Sequence, residues 1–155
     1  LSLHDALPIY KDADKFLHLG DSEFSYNDTE LSLYQRVKGN CDFYPEFLEE
    51  AITEENGIRA FYTHGHLYQV NQTRMKLAEK AKELGCLFAF YGHTHVAKYE
   101  QIGGIHVINP GSISQSRSQI EETFAELVYK EDENTIILNF RNRENQIIET
   151  VKIEF

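Results

Sequence analysis

Cys86-Leu87-Phe88-Ala89-Phe90-Tyr91-Gly92-His93-Thr94-His95 passes from an apolar segment straight into two imidazoles. A short apolar, aromatic run after the helix-stop residue Gly85 reads as a buried strand of a parallel sheet. Gly92 lets the backbone turn, so His93 and His95 emerge at the strand's carboxyl end, the edge at which open α/β sheets bind ligands. Histidines one residue apart on a tight loop can face two neighbouring metals. Taken alone, G-H-x-H leaves a metal loop and a solvated turn equally open.

The rest of the chain repeats this grammar. Phe16-Leu17-His18-Leu19 forms a short strand ending at Gly20-Asp21. Leu31 to Val37 mixes apolar residues with Tyr34 and Arg36 and ends at Lys38-Gly39-Asn40-Cys41-Asp42. Pro45 to Glu55 is expected as a short acidic helix or irregular loop, with Phe47, Leu48 and Ile52 on its buried side. Asn56-Gly57 is a turn signal, and Ile58 to Tyr62 is a strand running into Thr63-His64-Gly65-His66. Asn71 is the expected N-cap of a helix through Leu84, with Leu77, Ala81 and Leu84 facing the core and Gly85 ending it.

After the histidine loop the pattern changes to strands alone. Ala97–Ile102 and Ile105–Asn109 flank Gly103-Gly104, a two-residue hairpin signal, and Asn109-Pro110-Gly111-Ser112 closes the second of them. Ser114 to Gln119 is a polar loop containing Arg117, followed by strands over Thr123–Tyr129, Ile136–Arg141 and Ile147–Phe155. In the last, Ile147, Val151, Ile153 and Phe155 are expected on one mainly apolar face. Parallel units followed by an antiparallel set predict two sheets packed face to face with helices outside.

The totals fit one globular domain. The chain has 155 residues, is 41% hydrophobic and has a formal net charge of -10. That charge disfavours a nucleic-acid partner, while acids and neutral histidines welcome divalent cations. Cys41 and Cys86 form no C-x-x-C pair or disulfide framework, so reduced thiols in a cytoplasmic protein are expected. No apolar run approaches the roughly 18 residues of a membrane span, and no membrane partner is expected. Leu1 to Ile9 reads as a non-native or foreign leader, with no signal-peptide pattern, no initiating Met, and Pro8 within it. The domain proper is assigned to residues 10–155.

Asp21, Asn40, His64, His66, His93 and His95 thus follow strands or glycine turns, in order. This mixed oxygen and nitrogen set suits Mn, Fe, Zn or Ni better than Ca. Asp21 is the natural bridging carboxylate for two metals, which can hold a hydroxide and clamp a phosphate for in-line attack.

The motifs H-L-G-D, G-N-C-D, T-H-G-H, G-H-T-H and N-P-G-S, over about Tyr10 to Phe155, resemble the calcineurin-like metallophosphoesterases, in particular the YfcE-type phosphodiesterase branch. The resemblance implies an α/β/β/α sandwich of two mixed sheets flanked by helices. It also implies two divalent metal ions, Mn foremost with Ni, Fe, Zn or Mg as alternatives, and a small phosphodiester substrate. Asp21 would bridge; Asn40, His64 and His93 would complete one metal site, and His95 would belong to the other. Asn40, Cys41 and His66 would serve the chemistry, with Cys41 where many members carry a general-acid His. Arg117 would anchor a phosphate oxygen, although Ser116 stands where the family usually has Pro. The family's D-x-H motif has no counterpart in this sequence, and His4-Asp5 matches neither its order nor its spacing. The expectation is a first strand and helix truncated or replaced, one metal held well, and impaired hydrolysis. The alternative is a non-catalytic interaction scaffold, as in a retromer subunit of the same fold; a homo-oligomer is left open. His18 and His106 are expected to be structural.

Overall fold

The computed structural model describes residues 15–19, 34–39, 48–112 and 122–155. The leader, Asp21, Asn40, Cys41, Phe47, Ser116 and Arg117 lie outside the described residues. Ten strands are described: β1 (Phe16–His18), β2 (Tyr34–Arg36), β3 (Glu50–Glu55), β4 (Ile58–Thr63), β5 (Phe88–Phe90), β6 (Lys98–Ile102), β7 (Ile105–Asn109), β8 (Thr123–Lys130), β9 (Thr135–Asn142) and β10 (Ile147–Glu154). One α-helix, α1 (Met75–Glu83), lies among them.

A mixed sheet runs in the order β3-β4-β5-β7-β6, with β4, β5 and β7 parallel and the outer two strands antiparallel to their neighbours. A second, antiparallel sheet runs β10-β9-β8, and β1 pairs in parallel with β2. Alternation along the central strands builds two cores. Phe61, Ala89, Ile105 and Val107 meet Leu77, Ala78 and Ala81 of α1 on one face. Ala60, Phe88 and Ile108 meet Ile136, Leu138, Phe140 and Ile153 of the second sheet on the other. Burying each of the larger side chains contributes about 1.5–3 kcal/mol. The helix–sheet–sheet stacking expected from the sequence is therefore present.

Turn chemistry fixes the register. Asn56-Gly57 and Gly103-Gly104 have positive φ at both central positions, as two-residue hairpins require. The helix ends as expected: Gly85 adopts φ 70°, its N–H donates to Lys82 O, and Cys86 N–H donates to Ala81 O.

Three expectations are corrected. The stretch expected as an acidic helix or loop is, from Glu50, the edge strand β3, paired residue for residue with β4. Leu48 is 62% exposed and Ile52 38%, so neither forms a buried side; Glu54 and Glu55 are exposed and face Arg59 and Lys15. The helix begins at Met75, not after Asn71, because His66–Tyr68 form a 3-10 turn and Gln69 adopts a left-handed backbone. Thr73 Oγ1 then accepts the Met75 N–H at 3.3 Å. In β10 a bulge between Ile147 and Glu149 breaks the alternation, leaving Ile147 and Phe155 exposed while Val151 and Ile153 face the core.

His106 is structural, as expected. It is buried between the sheets, with its Nδ1 2.8 Å from the Tyr99 hydroxyl and its ring beside Tyr99 and Phe88. Burial holds its pKa below the ordinary histidine value. Below about pH 6.5 the unfolded chain therefore takes up a proton that the folded chain resists, so stability is full above that pH and falls as pH drops below it. The urea midpoint is expected to fall between about pH 7.5 and about pH 5.5. His106→Gln, which does not titrate, should show a smaller fall. An equal fall in both proteins would remove His106 as its source.

Candidate metal centre

Because β4, β5 and β7 run parallel, their carboxyl ends share one sheet edge. His64 follows β4 directly, His93 and His95 follow β5, and Asn109 ends β7. The backbone ties these ends together: Gly92 N–H donates to His64 O at 2.9 Å and Tyr91 N–H to Ile108 O at 3.1 Å. Burial pushes the Tyr91 phenol up to about 12, so it is a neutral packing group beneath the loop.

His64 is 2% exposed. Its Nδ1 lies 2.6 Å from Leu19 O, two residues before Asp21. A carbonyl oxygen only accepts, so the proton resides on Nδ1 and the Nε2 lone pair is directed away from it. This is the arrangement in which a backbone carbonyl orients a metal-binding imidazole. Nε2 lies 3.1 Å from His93 Nδ1. Two nitrogens on one metal, at bonds near 2.0–2.1 Å and angles of about 90–109°, stand roughly 2.8–3.4 Å apart. The pair therefore fits one divalent ion. The His66 ring completes the group, its centroid 5.4 Å from His64 and 6.4 Å from His93.

The histidine loop is strained. His93 and His95 have φ of 62° and 61°, a region costing a non-glycine residue about 1–2 kcal/mol. Thr94 N–H donates to Gly92 O at 2.7 Å across His93, the rare positive-φ form of the three-residue turn. Gly92 is needed for closeness: a Cβ there would stand 3.3 Å from Leu19 O and 3.6 Å from His64 Nδ1.

Of the expected site residues, the structure brings together His64, His66 and His93, with His95 on the same loop. Asp21, Asn40, Cys41 and Arg117 fall outside the described residues. Among the described residues no group of three His, Cys, Asp or Glu side chains forms a metal site. Sequence reasoning assigned no role to the Asn109 side chain, which is buried behind the loop; its place before Pro110-Gly111 reads locally as a turn only.

Comparison with known proteins agrees with this geometry. Residues 3–132 match the calcineurin-like phosphoesterase superfamily domain. The probable metallophosphoesterase YsnB of Bacillus subtilis is 37% identical over 125 residues, spanning 81% of this chain and 74% of that protein. A structure from Streptococcus pneumoniae TIGR4, described as a predicted phosphoesterase, superposes with a TM-score of 0.88 at 30% identity, covering 99% of this chain and 89% of that one. YfcE, a phosphoesterase from E. coli, shares the fold at 21% identity and a TM-score of 0.69, covering 98% and 92%. So does Vps29 of Entamoeba histolytica complexed with Zn, at 19% identity and 0.60, covering 80% and 72%. The chain belongs to the calcineurin-like phosphoesterase superfamily.

Proposed function

We propose that the protein is a dinuclear metal-dependent phosphodiesterase acting on small diesters. The observation that favours this reading is the oriented His64 Nε2 beside His93 Nδ1 at the carboxyl edge of three parallel strands. His64, His93 and Asn40 would hold one divalent ion, and Asp21 would be shared with a second, to which His95 would contribute without the D-x-H partners the family supplies there. Such ions supply Lewis-acid polarisation of a phosphoryl oxygen and an activated water.

The chain's own residues then have separate tasks. His64, locked by Leu19 O, keeps one donor in place without reorganisation. His66, with its ring centroid 5.4 Å from that of His64 and 6.4 Å from that of His93, would contact the phosphate. Arg117 would hold a phosphate oxygen. Cys41 stands where a leaving-group acid would act, and a thiol with an ordinary pKa of about 8.5 is a weak acid for that purpose. Diesters with good leaving groups should therefore react best.

With added Mn, an activated bis-aryl phosphodiester should be hydrolysed faster than the corresponding aryl phosphomonoester. Faster monoester cleavage would refute the diester assignment. Metal binding with no hydrolysis of either ester would favour a structural metal site, and neither metal binding nor hydrolysis the scaffold reading.

A further inference from the structure

We propose that Asn109 is a positioning residue that clamps the histidine loop in its metal-binding conformation; this rests on the reading of His93 as a metal donor. Asn109 is fully buried at the end of β7. Its Nδ2 donates to Gly92 O at 3.0 Å and to Thr94 Oγ1 at 2.8 Å, on either side of His93. Its Oδ1 accepts the Gly111 N–H at 2.9 Å. The acceptor at one end and the donor at the other fix which atom is oxygen and which nitrogen. The amide also lies within hydrogen-bonding reach of the Tyr91 phenol beneath the loop.

The placement answers a specific need. His93 sits at positive φ inside a three-residue turn closed onto Gly92 O, the same oxygen that Asn109 holds. Thr94 Oγ1, the second anchor, also accepts the Val96 N–H at 3.4 Å and so steadies the backbone on the far side of His95. One side chain thus spans the strained segment and ties it to the Pro110-Gly111 turn. Isolated left-handed histidines would relax toward ordinary backbone conformations, swinging the rings away. Asn109 opposes that relaxation without touching metal or substrate, as outer partners of metal ligands do.

Two variants separate the clamp from general packing. Asn109→Asp keeps the acceptor for Gly111 N–H but confronts Gly92 O with an oxygen instead of a donor. Thr94→Val removes the second anchor, and Thr94→Ser retains it. Each is measured for Mn affinity by calorimetry, for urea midpoint, and, in metal-free protein, for amide exchange at Thr94 and Val96. The expected result is faster exchange at both amides and Mn affinity reduced about 10–100-fold in Asn109→Asp, a smaller reduction in Thr94→Val, and wild-type behaviour in Thr94→Ser. If Asn109→Asp does not fold, Thr94→Val decides. Folded variants with wild-type exchange, or with faster exchange but unchanged Mn affinity, overturn the proposal. Wild-type protein that binds no Mn, while the variants still exchange faster, keeps the clamp and removes the metal reading instead.

Discussion

Alanine at His64 is expected to weaken Mn binding by on the order of 100-fold or more and to abolish Mn-stimulated diester hydrolysis. Changes to groups that only orient a metal ligand typically reduce affinity 10–100-fold, and His64 is proposed as a ligand itself. Its imidazole joins two segments: Nδ1 donates to Leu19 O, and Nε2 faces His93. Truncation removes a donor, leaves Leu19 O without that bond and opens a cavity at a buried position. The stability loss should be about 2–4 kcal/mol. His93→Ala, at a half-buried loop position, should match the loss of Mn affinity with a smaller loss of stability. Calorimetric titration with Mn and urea denaturation in chelator measure the two effects separately. A folded His64→Ala protein that binds Mn like the wild type would remove His64 from the metal centre.

Much of this was legible because it is local. The apolar run ending at Tyr91, the glycine after α1 and the Gly103-Gly104 hairpin each write their geometry into adjacent residues, and the structure follows them. So did the ordering of polar turns at strand ends, which brought His64 and His93 to one sheet edge. The failures occur where distant partners override local preference. Glu49 to Glu55 is rich in helix-forming glutamate, yet β4 offers a ladder and Asn56-Gly57 the turn to reach it, so β3 forms. Asn71 has a capping side chain, but the 3-10 turn at His66–Tyr68 and the Arg74 ion pair with Glu100 at 2.7 Å delay the helix. Asn109 shows the same limit at the site: its partners include Gly92, Thr94 and Gly111, and only the fold joins the first two to it.

Gly111→Ala should destabilise the protein by about 3–6 kcal/mol, a large share of the 5–15 kcal/mol typical of a domain. Gly111 has φ 83°, and a Cβ there would stand 2.0 Å from Thr123 Oγ1 and 3.2 Å from Ala97 Cβ. The hydroxyl cannot simply turn aside, because it donates to Pro110 O at 2.8 Å while Thr123 N–H donates to Ser112 O at 3.0 Å. The added methyl therefore meets a group held from two directions, at the point where β8 is joined to the turn following β7. Part of the loss is conformational and part is the clash, and a second substitution distinguishes them. Thr123→Ala removes the obstructing oxygen, so Gly111→Ala in that background should retain mainly the backbone contribution of about 1–2 kcal/mol. The two substitutions should thus be less than additive by about 2–4 kcal/mol, read from urea midpoints of the four proteins at constant slope. Strict additivity would mean that Thr123 does not stand over Gly111. Displacement of this turn in Gly111→Ala should also disturb the clamp on the histidine loop, since Asn109 Oδ1 is anchored on the N–H of this same glycine.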